Sequence, residues 1–77
     1  MNHYVLAYHR ARRALLQEHE FAPTDADAAW ARRDALISDT IADRDIEIVL
    51  LRAVSRADLL KTHARYFRSL QDVLSAA

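Results

Sequence analysis

The sequence contains no glycine, no cysteine and only one proline in 77 residues. Phosphate-binding loops, dinucleotide-binding turns and nucleophile elbows all require glycine, because the backbone must approach a phosphate closely or adopt a positive φ angle. The absence of cysteine excludes disulfides, thiol catalysis and metal sites built on cysteine. Two-residue β-hairpins usually contain glycine as well, so the composition favours helices over a sheet.

The sequence also has no excess of charge of one sign and no long apolar run. The 11 basic and 11 acidic residues cancel at neutral pH. No apolar run approaches the roughly 20 residues that a membrane-spanning helix needs, and residues 1–13 lack the pattern of a signal peptide. We therefore expect a cytoplasmic protein that has no membrane partner.

The chain length predicts a single domain over residues 1–77. At this size a lone hydrophobic core contributes no more than about 3–5 kcal/mol to stability. Since no disulfide or evident metal site adds to it, we expect homodimerisation to complete the core.

The first half of the chain has the spacing of two amphipathic helices. Apolar residues recur at intervals of three and four, which predicts a helix over residues 3–20, although Tyr4 to Leu6 would also suit a short strand. Pro23 ends this helix near Phe21. Thr24 is then expected to cap a second helix over residues 25–42.

The second half contains an ambiguous apolar segment and a clear helix start. Residues 45–54 are apolar on almost every side and suit either a strand or a buried helix. We favour the helix, because a lone strand would leave its backbone groups unsatisfied. The sequence Ser55 to Asp58 is a capping box, which predicts a final amphipathic helix over residues 56–75. The expected fold is all-α: a small antiparallel bundle of three to four helices.

Catalytic and metal-binding patterns are absent. His3, His9, His19 and His63 are not spaced three or four residues apart, so a helix would not place two of them on one face. No nucleophile, base and orienting group can be recognised together. We expect no bound metal, no cofactor and no enzymatic activity.

The function that these features favour is a small adaptor or regulator that binds another protein through an amphipathic helix face. Large aromatic residues are enriched at such interfaces, although Trp30 is expected to fill the core. The predicted partner-binding residues lie on the final and first helices: Arg65, Tyr66, Phe67, Arg68 and Leu70, with Tyr4 and Tyr8.

Two alternative functions remain open. Every basic residue except Lys61 is an arginine, a side chain suited to phosphate contacts. A regulator that binds DNA or RNA would use Arg12, Arg13, Arg52, Arg56 and Lys61. Against this alternative, nucleic-acid binding proteins normally carry a positive surplus. The second alternative is a structural subunit of a larger assembly.

Overall fold

A computed structural model describes residues 1–67 as a mixed α/β fold, so the predicted all-α helical bundle is wrong. The sheet is antiparallel, with the strand order β2-β1-β3. Its strands are β1 (Asn2–His9), β2 (Ala14–Phe21) and β3 (Ile46–Ala53). The helices are α1 (Ala26–Thr40) and α2 (Arg56–Thr62), with 3-10 turns at Pro23–Asp25 and Ala64–Phe67.

The central strand β1 explains why the helix predicted over residues 3–20 is wrong. Its side chains alternate between the two faces of the sheet and are buried on both: Tyr4, Leu6 and Tyr8 on one face, Val5 and Ala7 on the other. A strand buried on both faces has a nearly continuous apolar run, without the alternation that identifies a half-exposed strand. The same residues therefore also satisfied a helical spacing.

The turn between β1 and β2 forms without glycine. The backbone amide of Arg13 donates to the carbonyl of Arg10 at 3.3 Å, and Arg13 adopts a φ angle of 52°. This left-handed conformation costs a residue other than glycine about 1–2 kcal/mol. Since hairpins are normally recognised by Asn-Gly or Asp-Gly, the sequence carried no signal for this turn.

We expect Arg13→Gly to raise the free energy of unfolding by about 0.5 kcal/mol. Glycine relieves the left-handed strain but also loosens the unfolded chain, so the two effects partly cancel. Urea denaturation followed by circular dichroism measures the change. Arg12→Gly is the matched control and should lower stability; equal changes in both variants would contradict the assigned strain.

The apolar segment over residues 45–54 contains β3, so the helix favoured for it is wrong. β3 pairs with β1 along its whole length, with Leu51 opposite Tyr4 and Val49 opposite Leu6. The expectation of a helix depended on the lack of a partner strand, and β1 is that partner. The pairing satisfies the backbone groups on one side of β3.

Each face of the sheet carries its own hydrophobic core. On the α1 face, Val5 packs with Ala29 and Leu36 of α1. The opposite face, called the α2 face, is covered by α2 and the turn after it; its buried residues are Tyr4, Leu6, Tyr8, Ala53, Leu59, Tyr66 and Phe67. Trp30 is 51% exposed, so the expectation that it fills the core is wrong.

The two helices agree with the predictions from sequence better than the strands do. α1 lies within the helix predicted over residues 25–42, although it begins after a 3-10 turn and Thr24 does not cap it. At α2, the Ser55 hydroxyl accepts from the amide of Asp58 at 3.2 Å, which confirms Ser55 as the cap of this helix.

α2 is shorter than the helix predicted over residues 56–75, because it ends at Thr62 and a 3-10 turn follows. The part of that prediction beyond residue 67 lies outside the described residues. Among residues 1–67, no helix has the length and apolar character needed to cross a membrane. Homodimerisation stays a prediction.

Candidate functional site

A polar cluster surrounds Glu47 on the α2 face of the sheet. Strand register places Glu47 opposite Tyr8, and its side chain is only 16% exposed. The Tyr66 hydroxyl donates to its carboxylate at 2.5 Å, and Arg65 donates to both oxygens at 2.7 Å. Arg10 donates from Nε at 3.1 Å. The carboxylate therefore joins the turn after α2 to β3 and to the β1–β2 hairpin.

Aromatic rings form the floor of this cluster. Tyr8 and Tyr66 pack edge to face, with 5.2 Å between ring centroids and 86° between ring planes. The Arg65 guanidinium lies 4.6 Å from the Tyr66 ring centroid and 5.9 Å from that of Tyr8. Such cation–π contacts add to the ion pair with Glu47.

The charge state of Glu47 follows from its donors. Burial acts to raise the pKa of Glu47, but hydrogen bonds from Tyr66, Arg10 and Arg65 outweigh it and hold the pKa below its usual value. Burial, together with the neighbouring Glu47 carboxylate, raises the pKa of Tyr66. Glu47 is thus an ionised acceptor that is fully engaged, an arrangement that suits a structural clamp better than a general base.

The lowered pKa of Glu47 predicts acid sensitivity. A group with a lowered pKa in the folded state contributes stability above its unfolded pKa, and that contribution is lost as the pH falls through the folded pKa. We expect the free energy of unfolding to fall between about pH 5 and pH 3 more steeply in the wild type than in Glu47→Gln. Urea titrations across this range measure both slopes, and equal slopes would contradict the assignment.

His9, Asp43 and Asp45 gather at the hairpin end of β1 and β3, and sequence spacing gave no sign of this. One ligand-type atom from each lies within 4.8 Å of the others, and His9 Nε2 is 3.9 Å from Asp43 Oδ2. However, His9 Nδ1 accepts the backbone amide of Arg12 at 3.2 Å. A neutral ring that accepts at Nδ1 carries its proton on Nε2, so Nε2 has no lone pair for a metal ion.

The structure places the predicted partner-binding aromatics in the core. Tyr4 and Phe67 are fully buried, and Tyr66 and Tyr8 are 7% and 9% exposed. Arg65 is engaged by Glu47, whereas Arg68 and Leu70 lie outside the described residues. These rings pack within the protein's own core, and their role in partner binding stays a prediction.

The basic residues predicted to contact nucleic acid lie at both ends of the sheet. Arg12 and Arg13 are in the hairpin turn, whereas Arg52 pairs with His3 at the far end of β1, about 20 Å away for six strand residues. Arg56 makes two hydrogen bonds to Glu18, at 2.7 and 3.1 Å. Lys61 is exposed on α2. This separation gives no continuous basic surface among these residues.

In the part of the chain that the structure describes, the outer edge of β3 presents backbone groups that no strand pairs. The Arg10 amide donates to the Asp45 carbonyl at 2.8 Å, which extends the β1–β3 register by one pair. Hydrogen-bonded pairs alternate along antiparallel strands, so Ile48, Leu50 and Arg52 direct their N–H and C=O groups away from β1. Within residues 1–67 the sheet has three strands, and no strand covers this side.

An exposed apolar stripe of α1 lies beside that edge. Trp30, Ile37 and Ile41 are seven and four residues apart, and therefore share one flank of the helix. Trp30 is 51% exposed and Ile41 is 79% exposed. A shallow groove of about 210 Å³ joins the stripe to the strand; it is lined by Ile37, Thr40, Ile41, Asp43, Arg44, Ile46 and Ile48. We call the outer edge of β3 together with Trp30, Ile37 and Ile41 the β3 edge surface.

The opposite edge of the sheet is polar. β2 carries Gln17, Glu18, His19 and Glu20 in succession, and charged side chains discourage pairing with another strand. β3 has apolar residues at most positions between Ile46 and Ala53. Of the two edges, β3 is therefore the one suited to strand pairing.

Comparison with known proteins does not assign the chain to a family. It matches no protein-family model, no curated protein and no solved structure at a significant level. The geometry of the surfaces described above is therefore the basis for a functional proposal.

Proposed function

We propose that the protein is a small, non-catalytic protein-interaction module of the cytoplasm, and that it binds an extended segment of a partner by strand addition at the β3 edge surface. The observation that carries this proposal is the outward backbone of Ile48, Leu50 and Arg52, which no strand within residues 1–67 pairs, beside the apolar stripe of α1. In strand addition, backbone hydrogen bonds provide affinity, and alternate side chains provide specificity.

The shape of the β3 edge surface defines the chemistry of its partner. A strand paired with β3 directs every second side chain toward the α1 face. There those side chains meet the groove beside Ile37 and Ile41. The favoured partner segment is therefore extended and has apolar residues at alternate positions.

A non-catalytic role agrees with the state of the polar groups. The Glu47 carboxylate accepts from three side chains, so it offers no free base. His9 Nδ1 is occupied by a backbone amide. General acid–base catalysis needs a titratable group that can reach the substrate, and neither side chain is placed to act as one.

Selection of peptides on the protein tests strand addition directly. The probe is a phage-displayed library of random dodecapeptides, and the protein is tethered sparsely so that two copies do not meet. We expect the selected peptides to show alternating apolar residues. Their affinity for the protein is then measured with labelled synthetic copies by fluorescence anisotropy.

Matched variants locate the binding surface. Ile41→Glu places a charge in the stripe and Arg52→Pro removes an outward N–H; each should weaken peptide binding about tenfold or more, as expected for loss of a desolvated contact. Ala28→Glu, on the β2 flank of α1, and Arg52→Ala, which keeps the N–H, should change it less than about twofold. The proposal is overturned if no peptides are enriched, or if Ile41→Glu binds them as the wild type does.

A further inference from the structure

We infer that the strand received by the β3 edge surface is β3 of a second copy, so that two chains form a two-fold dimer with a continuous six-stranded sheet. This inference rests on the proposed function and names its partner. An exposed, apolar edge strand is a template for pairing with another such strand. β3 meets both conditions, since no strand among residues 1–67 pairs with its outer edge and its sequence is Ile-Glu-Ile-Val-Leu-Leu-Arg-Ala.

Symmetry restricts how two copies of β3 can pair. A two-fold axis perpendicular to the sheet makes the strands antiparallel and keeps both α1 helices on the same face. Residues on one face of a strand are two apart, so each residue pairs with one of the same parity. The outward groups of Ile48 and Leu50 then bond to those of Leu50 and Ile48 in the second copy, with Val49 on the axis.

Charge complementarity favours this register and a second copy as the partner. Exposed Asp43 and Asp45 lie at the start of β3, and exposed Arg52 lies near its end on the α1 face. With Val49 on the axis, Arg52 of the second copy lies opposite Ile46, whose register partner on β1 is His9. Asp45 comes directly before β3, and its carboxylate lies within 4.8 Å of a His9 ring nitrogen, so it is on the side of the strand end that this arginine reaches. A shift of two residues in one direction would place this arginine opposite Ile48, inside the apolar run, and a shift in the other direction would place it opposite Arg44. Antiparallel pairing thus brings opposite charges together at both ends of the interface.

The dimer would also cover the apolar stripe of α1. α1 packs on residues of both β1 and β3, including Val5, Ile48 and Leu50. Strands lie about 4.8 Å apart, so two helices each centred between β1 and β3 would be about 10 Å apart across the axis. That is the spacing of packed helices. Trp30, Ile37 and Ile41 would then face the same stripe of the second copy.

Charge reversal at the two ends of β3 tests the pairing. We expect the wild type to form dimers in sedimentation equilibrium at 50 mM salt, over protein concentrations of roughly 1–200 µM. Arg52→Asp and Asp45→Arg each create like-charge contacts at both ends of the dimer. Each variant alone should dissociate with a Kd about tenfold or more above that of the wild type.

Mixing the two variants restores an opposite-charge contact at both ends of the dimer. At one end the native Asp45 of one chain meets the native Arg52 of the other. At the other end the two substituted side chains meet, and they also carry opposite charges. We expect the equimolar mixture to associate within about threefold of the wild-type Kd. Ile41→Glu should also weaken the dimer, and Ala28→Glu should not; far-UV circular dichroism confirms that each variant keeps its fold.

The outcomes separate this inference from the proposed function. Self-pairing of β3 is overturned if the wild type stays monomeric, or if the mixture of Arg52→Asp and Asp45→Arg does not associate. The proposed strand addition would still stand in that case if Ile41→Glu weakens the binding of the selected peptides. A dimer unaffected by all of these substitutions uses another surface, which also overturns the inference. Failure of both the dimer and the peptide selection removes the β3 edge surface as a binding site.

Discussion

Glu47→Ala should lower the free energy of unfolding by about 2–3 kcal/mol, a large share of what a core of this size supplies. The substitution removes the acceptor of the Tyr66 hydroxyl, which is itself mostly buried. A buried polar group left without its partner costs about 1–3 kcal/mol. The two arginines that also donate to Glu47 are more than half exposed, so water replaces much of what they lose. Urea denaturation monitored by circular dichroism measures the change.

Two further variants show whether the hydrogen bond or the charge matters at this site. Tyr66→Phe removes the hydroxyl but keeps the ring against Tyr8, and should cost less than Glu47→Ala. In the double variant the losses should not add, because both substitutions remove the same contact. Fully additive losses would mean that the Tyr66–Glu47 hydrogen bond contributes nothing to the clamp.

Phe67→Ala should lower the free energy of unfolding by about 3–4 kcal/mol and leave little folded protein. The ring is fully buried in the same core as Leu59 and Tyr66, and the Arg56 guanidinium lies 5.6 Å from its centroid. Truncation to alanine leaves a cavity that the surrounding core residues cannot fill. Thermal and urea unfolding, followed by circular dichroism, measure the loss.

The control for this prediction is Phe67→Leu, which keeps most of the apolar volume and should cost under about 1.5 kcal/mol. Dilution then separates a core role from an interface role, because the loss from a core residue does not depend on protein concentration. If Phe67→Ala keeps full stability as a monomer and only weakens association, the ring acts at an interface.

The parts of the fold that the sequence predicted correctly have local causes. α1 begins after Pro23 and is rich in alanine, a strong helix former. The Ser55 cap depends on a side chain and an amide three residues apart. Such signals lie within one turn of chain, so the sequence alone is enough to recognise them.

The sheet depends on contacts that are distant in sequence, and there the predictions were wrong. β1 lacks alternation because both its faces are buried, and the hairpin turn uses Arg13 where glycine is usual. Without β1, β3 had no visible partner strand. Four of the residues that the sequence marked as partner-binding are buried in the core of this sheet: Tyr4, Tyr8, Tyr66 and Phe67.

The candidate sites could not be predicted from the sequence either, since they are formed by the register of the strands. Glu47 stands within an apolar segment, and its three donors come from two other parts of the chain, the β1–β2 turn and the 3-10 turn after α2. The β3 edge surface exists only because β3 is the outer strand of the sheet. Trp30, Ile37 and Ile41 are seven and four residues apart and so share one flank of α1, but the position of the sheet decides whether that flank is buried or exposed.

The strand order β2-β1-β3 has a consequence for how the protein is made. β1 is synthesised first but lies in the middle, so its hairpin with β2 can form at once, on the microsecond scale of local pairing. Its other side stays uncovered until β3 has left the ribosome. At about 5–20 residues per second, synthesis of the 36 residues between His9 and Ile46 takes roughly 2–7 s. For that time, one side of the apolar strand β1 has no partner for its backbone groups. During that interval the nascent chain is most open to aggregation or to binding by chaperones.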